Sequence, residues 1–279
     1  MPYPGSEDDD VDDYVDDVVD DDPDDDLHDD VDEELNITDK KKPRYWEVDV
    51  INAAGQISRR RLTVADVLEE SPNGTRIMTR WNDVPQPVGQ SAKLLANYLG
   101  QLARQFKDFP IMVERWDAAI LKKKKTEFYN SKVKSKFVVD DDGDHKKYVM
   151  SSLGKKWKDG KSRLFNKHYK WELTLEENLK NRPSFIHPDH WAVFVNFRRK
   201  AEQVAIAQKN ARNRKKQKTP HTLGTDSLAI RKDELELRYG REYSRGDMYV
   251  VSHKDAKGKF VNEYASQKAE LLQVEMQNT

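Results

Sequence analysis

Lysine and arginine are gathered in three segments of this chain, and the chemistry they offer is the binding of anions. Residues 122–136 hold seven lysines and one glutamate, and residues 146–170 and 198–218 are also basic. Clustered cations release the counterions condensed on phosphates, so such segments suit a polyanionic partner. The alternative for any one cluster is a solvated helix face or a nuclear-import signal. Three clusters punctuated by tryptophans favour nucleic-acid binding.

The charge of the chain is divided unevenly along its length. Residues 1–39 contain 20 of the 50 acidic residues and no Lys or Arg, which is a charge of −20. The remaining 240 residues carry 49 basic and 30 acidic side chains, a charge of +19. The Asp-rich composition predicts a disordered acidic tail. This tail is either a solubiliser or an intramolecular polyanion that competes with DNA for the basic body.

The second basic segment has the strongest helical periodicity. Val149, Leu153, Trp157, Gly160, Leu164 and His168 recur at steps of three or four residues. This spacing predicts one continuous helix with a single apolar stripe. Gly160 in that stripe costs about 1 kcal/mol relative to alanine unless it permits close packing. The cations fall largely off the stripe, and the predicted DNA contacts among them are Lys155, Lys156, Lys158, Lys161, Arg163 and Lys167.

The third basic segment is predicted to continue a helix that begins near Asp189, which would cap it. Trp191, Phe194 and Val195 place the start of this helix against the core. Beyond Arg198 the sequence becomes polar and rich in alanine, which indicates a solvent-facing extension. The predicted DNA contacts in it are Arg212, Arg214, Lys215 and Lys216.

Weaker signals predict the remaining elements. Residues 45–52 alternate with period two and favour a short strand, and residues 89–107 show helical spacing. Trp116 and Ile120 are expected on a further helix that runs into the lysines of the first cluster. A last helix near 260–276 has only a weak apolar seam, which could pair two copies as a homodimer or short coiled coil.

Together these signals predict a mainly α fold. It would be a small tryptophan-centred helical domain, with a Myb/SANT-like fold among the alternatives, an acidic disordered tail and an extended basic helix. The expected division is tail 1–39, linker with a possible strand 40–88, helical DNA-binding region 89–220 and C-terminal segment 221–279.

Several other classes of site are not supported by the sequence. The chain has no cysteine, which excludes disulfides and thiolate zinc sites. No apolar run approaches the roughly 20 residues that span a bilayer. Gly154 and Gly160 enclose five residues, one too many for a P-loop. The acidic run 140–144 lacks acidic ligands at both ends of a calcium loop, and His187 with His190 makes a poor metal site. We therefore predict no cofactor and no metal.

Catalysis is not predicted either. An enzyme that cleaves DNA strands with two metal ions would hold three carboxylates around them on a mixed sheet. Asp49, Asp66 and Asp117 cannot be assigned such roles from their spacing.

Seven sequence pieces together resemble a known plant family. They are Gly74–Ile77, Gly89–Ala103, Tyr148–Leu164, Trp191–Val195, Asn213–Gly224, Ser252–Asp255 and Val261–Glu263. In this order they are similar to the plant transposase family Ptta/En/Spm, found in CACTA-type transposable elements. The run Leu153–Trp157, with the later Asn-Arg-x-Lys cluster and Pro-His pair, is the most specific part. The acidic tail lies outside the resemblance.

The resemblance implies association with transposon DNA in the nucleus, without implying catalysis. CACTA-type elements divide the work between a large catalytic product and a smaller DNA-binding product, and this chain resembles the smaller one. RNA or acidic proteins are alternative partners. Two other functions are alternatives. A metal-dependent transposase would be revealed by metal-dependent strand cleavage. A protein-interaction scaffold would be revealed by partner binding that depends little on salt.

Overall fold

The computed structural model describes residues 43–69, 74–224 and 226–277. The predicted acidic tail, 1–39, lies outside these ranges. The predicted mainly α class is confirmed. In chain order the helices are α1 (Val64–Leu68), α2 (Gly89–Ala103), α3 (Ala119–Phe128), α4 (Asp144–His168), α5 (Leu175–Lys180), α6 (Pro188–Arg198), α7 (Ala201–Lys215), α8 (Leu228–Tyr239), α9 (Arg245–Ser252) and α10 (Glu263–Gln277). No helix in the described part of the chain is long and apolar enough to cross a membrane.

Short strands precede and flank the helices. They are β1 (Trp46–Ile51), β2 (Ile57–Leu62), β3 (Arg76–Met78), β4 (Arg80–Trp81), β5 (Pro87–Val88) and β6 (Phe137–Val138). Four of them form a sheet of order β2-β1-β3-β6, in which only the β3–β6 pair is parallel. The predicted strand at 45–52 is confirmed as β1, whose residues alternate between buried and exposed.

The region 40–88, expected as a linker with one strand, contributes five strands and α1 to the fold. Three of these strands are only two or three residues long, too short to show a periodic pattern. β2 lies at the sheet edge and is almost wholly exposed, so its sequence lacks the apolar alternation of a half-buried strand.

The core is centred on α2, α4 and α6 and includes two fully buried tryptophans. Trp157 of α4 and Trp191 of α6 are fully buried. The N–H group of each indole also has a hydrogen-bond partner. Trp157 Nε1 donates to the Phe109 carbonyl, and Trp191 Nε1 donates to the Asn178 carbonyl, both at 3.0 Å. A buried indole N–H needs such a partner. The predicted tryptophan-centred packing is therefore present.

Trp116 packs against α4, although it precedes α3 instead of lying on it. Its ring centroid is 5.4 Å from that of Trp157. The close approach depends on Gly154, because a Cβ added there would lie 2.6 Å from Trp116 Cδ1. Residues 154–162, which do not fit the P-loop pattern, lie in the interior of α4, as their spacing predicts.

Gly154 and Gly160 therefore differ in what an added methyl group meets. We expect Gly154→Ala to destabilise the fold by about 1–3 kcal/mol, because the Trp116 ring must move. Gly160→Ala is the matched control in the same helix: its Cβ would lie 3.7 Å from Phe106 Cζ, an ordinary contact. Alanine is the better helix former, so this variant should be as stable as wild type or up to about 1 kcal/mol more stable. Urea unfolding of both variants measures the difference, and equal stabilities would contradict the packing argument.

Asp140, the first residue of the acidic run 140–144, has a structural role. Its carboxylate accepts hydrogen bonds from the backbone N–H groups of Gly143, His145 and Lys146 at 3.0–3.1 Å. These are the otherwise unpaired donors at the start of α4. Asp140 therefore satisfies backbone donors at the start of α4.

The C-terminal helices attach to this body through ion pairs. Lys93 Nζ of α2 lies 2.7 Å from Asp226 Oδ2 and 2.8 Å from Glu234 Oε1, and Arg80 Nη2 lies 2.6 Å from Asp233 Oδ2. A small separate core of Leu235, Tyr243 and Met248 joins α8 to α9. The predicted last helix is confirmed as α10, beginning at Glu263.

Candidate nucleic-acid interface

The third basic segment forms two helices where the sequence suggested one. α6 ends at Arg198 and α7 begins at Ala201, because Lys200 adopts an extended backbone with ψ of 136°. The predicted cap also shifts. His187 is the N-cap, its ring accepting from the Asp189 N–H at 3.3 Å, and Pro188 is the first helical residue. A proline with its fixed φ and no N–H suits that position, so Asp189 lies in the first turn instead of capping.

α7 has no buried residue along its 15 residues. At 1.5 Å per residue it is about 22 Å long. Residues 198–218 around it hold nine cations and one acidic residue. Its larger apolar residues, Val204 and Ile206, are not buried, so the helix gains little from packing on its own protein. Four predicted contact residues lie exposed at its C-terminal end: Arg212, Arg214, Lys215 and Lys216.

Both ends of α7 are nevertheless attached to the body. At its start, the Arg198 guanidinium lies 5.0 Å from the Phe165 ring of α4, and Lys200 Nζ lies 3.4 Å from Glu114 Oε1. Beyond its end, Asn262 Nδ2 donates to the Lys218 carbonyl at 2.6 Å. These anchors hold an exposed helix in a defined place.

The cations of α4 divide into an exposed and a buried group. Lys155, Lys158, Arg163 and Lys167 are exposed, as their predicted contact role requires. Lys156 and Lys161 are only 8% and 6% exposed, so their predicted phosphate contacts are not compatible with this fold.

Lys161 is held inside by specific contacts. Its ammonium donates to the Val113 carbonyl and lies 4.0 Å from the Trp157 ring centroid. Burial lowers the pKa of Lys161 to about 8, and the nearby charges of Arg198 and Lys158 act in the same direction. The signal was present in the sequence, because Leu153, Trp157, Lys161 and Phe165 follow one another at four-residue steps. A lysine on that row is expected to face the core.

Two of the basic segments share one region of the molecule. The guanidinium of Arg198, at the end of α6, lies 5.0 Å from the ring of Phe165 on α4. The start of α7 therefore lies beside the C-terminal half of α4. The structure brings together the second and third basic clusters, which are separate in sequence.

Some lysines of the first basic cluster make contacts within the protein. Lys125 lies 5.0 Å from the Trp116 ring and donates to its carbonyl at 2.9 Å, and Lys136 donates to the Glu69 carbonyl. Lys122, Lys123 and Lys124 remain exposed on α3.

The comparison with known families bears on the part of the chain that contains α7. Residues 187–279 match the family described as plant transposase, Ptta/En/Spm. The predicted resemblance is confirmed for these residues. Comparison with curated proteins and with solved structures finds no match. The earlier pieces of the resemblance, such as Tyr148–Leu164, lie outside the match and stay predictions, as does the Myb/SANT-like alternative.

The family-matched region is internally connected, because its separate sequence motifs meet. In the Pro-His-Thr loop, Thr222 donates its N–H to the Ser252 carbonyl at 2.8 Å, and the His221 and His253 rings lie 4.7 Å apart. Val261 N–H donates to the His253 carbonyl at 3.0 Å. Burial lowers the pKa of His253. These contacts join the loop that follows α7 to α9 and to the approach of α10.

Proposed function

We propose that this protein binds DNA in the nucleus as a transposon-derived member of the smaller, non-catalytic type, with α7 as its principal DNA-contacting element. One observation carries the proposal: a 15-residue helix without a buried residue, ending in four exposed cations, lies inside the segment that matches a plant transposase family. Burying polar, cationic surface against phosphates is the interaction this helix can make.

The dimensions of α7 suit duplex DNA. The major groove admits one α-helix, and its base edges carry a distinct donor and acceptor pattern. Asn210 and Asn213 are exposed on α7 and offer the amide groups that pair with adenine. The terminal cations would position the helix on the backbone, while the amides would read bases.

The exposed cations of α4 add to this surface. Lys155, Lys158, Arg163 and Lys167 lie on the helix next to which α7 starts. We assign them phosphate contacts, which orient the protein without specifying sequence. The basic stretch 198–218 also suits a nuclear-import signal, in agreement with the proposed location.

A further part of the proposal concerns a second copy of the chain as partner. Tyr264, Leu271 and Val274 are exposed on α10, whereas Ala265 and Ala269 face inward. Pairing of two copies through this helix stays a prediction. Among the described residues, no group of three His, Asp or Glu side chains is placed to hold a metal ion.

The proposal is tested by the salt dependence of binding. The full chain should bind duplex DNA with log K falling linearly against log of the salt concentration, at about −0.9 per phosphate contacted. Fluorescence anisotropy with a labelled duplex between about 50 and 200 mM salt measures the slope. Binding that is absent, or that does not change with salt, would refute the proposal. A binding selection from random duplexes would then identify the preferred site.

A further inference from the structure

Trp171 is unlike the other five tryptophans of the chain. It lies between α4 and α5 and is 64% exposed. Trp46, Trp157 and Trp191 are buried, and the remaining two pack against the core. An exposed indole offers its π face to solvent. Its apolar surface stays in contact with water, and neither packing of the core nor the position of α7 explains this exposure.

The Trp171 ring is supported by other aromatic side chains. Tyr169 meets it in a T-shaped contact, with centroids 5.0 Å apart and planes at 78°, and Phe165 does so at 6.4 Å and 74°. Phe165 and Tyr169 are themselves stacked at 4.6 Å. These T-shaped contacts support the indole on one side, and the residue nevertheless remains 64% exposed. The three rings therefore form a supported platform.

Cations are close to this platform along the chain. Arg163 and Lys167 lie on the last turns of α4, and Lys170 directly precedes Trp171; all three are exposed. Glu172, which directly follows Trp171, is an exposed acidic neighbour. An open aromatic face flanked by lysines is the chemistry that binds single-stranded nucleic acid, where a base stacks on the ring and the backbone meets the cations. In a duplex both faces of each interior base are already stacked, so the same ring has little to bind.

We propose that Trp171 binds an unpaired nucleobase, with Lys167 and Lys170 contacting the flanking phosphates. The platform then gives the protein a single-strand site in addition to the duplex surface of α7. This inference rests on the proposed function for its ligand class, because both sites take DNA. Lys167 is shared with the proposed duplex surface, whereas Trp171 is not part of it, so substitution of Trp171 tests the single-strand site independently.

The test compares Trp171→Ala and Trp171→Phe in the full chain, with a single-stranded oligothymidylate and a duplex of equal length. Stacking is worth about 1–3 kcal/mol per base, so Trp171→Ala should weaken single-strand binding about 5- to 150-fold. Trp171→Phe should retain most of the affinity, and duplex affinity should change less than about twofold. Tyr239→Ala is the control, because this aromatic residue on α8 is 60% exposed but lies outside the platform; it should have no effect.

A direct signal accompanies the affinities. Stacking on Trp171 should quench part of the tryptophan fluorescence of the wild type, and that part should be absent in Trp171→Phe. Unchanged single-strand affinity in Trp171→Ala, or quenching that survives in Trp171→Phe, would overturn the inference. If duplex binding is meanwhile strong and salt-dependent, only the platform is refuted. If wild type binds neither DNA, the proposed function fails as well.

Discussion

Replacing Arg212, Arg214, Lys215 and Lys216 with glutamate should lower the affinity for duplex DNA by a factor of about one hundred or more at physiological salt. Each lost phosphate contact should also reduce the slope of log K against log salt by about 1, so four contacts reduce it by about 4. The four side chains are exposed, so the fold should be retained. Anisotropy titrations over a range of salt measure both quantities, and circular dichroism checks the helix content.

A control variant with the same change in net charge shows whether the loss of affinity depends on the position of these cations or only on net charge. Lys122, Lys123, Lys124 and Lys132 are also exposed, on α3 and the π-helical turn Tyr129–Lys134 that follows it. Reversing these four changes the formal charge by the same amount. We expect a loss of less than about tenfold, since only long-range attraction is affected. If both variants lose affinity equally, α7 is not the principal contact and binding follows overall charge alone.

Deleting residues 1–39 should strengthen non-specific DNA binding, by about tenfold or more at low salt. The deletion changes the formal charge from −1 to +19 and removes no residue that the structure describes. A polyanion tethered to a basic surface competes with DNA at a high effective concentration. The effect should shrink as salt rises, because screening weakens both interactions.

A full-length control distinguishes charge from chain length in this experiment. Changing the 20 acidic residues of 1–39 to asparagine or glutamine keeps the length and removes the charge. It should bind DNA as tightly as the deletion. Unchanged affinity of both proteins at low salt would show that the segment does not compete with DNA and serves solubility.

Helices with long, regular apolar spacing could be predicted from the sequence. α2 and α4 were both placed correctly, because a helix that faces the core must repeat its apolar side chains every three or four residues. The short strands were not, since two or three residues leave no periodic signal. The parallel pairing of β3 with β6 joins segments far apart in the chain, and no local pattern encodes such a pairing.

The candidate site was only partly predictable for a related reason. The clusters of cations are a property of composition, and the sequence located them. Whether a given cation is exposed depends on what packs against its helix. Lys161 is buried because Trp157, Val113 and Phe194 lie around it, and two of those three belong to other segments.

The sequence by itself determined the division into an acidic segment and a basic, mainly helical body, and it pointed to the plant transposase family later matched by residues 187–279. Those features depend on residue types and short spacings. Only the tertiary structure decided that α6 and α7 are separate, that α7 stands exposed between two anchors, and that Trp171 is presented on an aromatic platform. Exposure is set by which surfaces the rest of the fold covers, and that is a property of the whole chain.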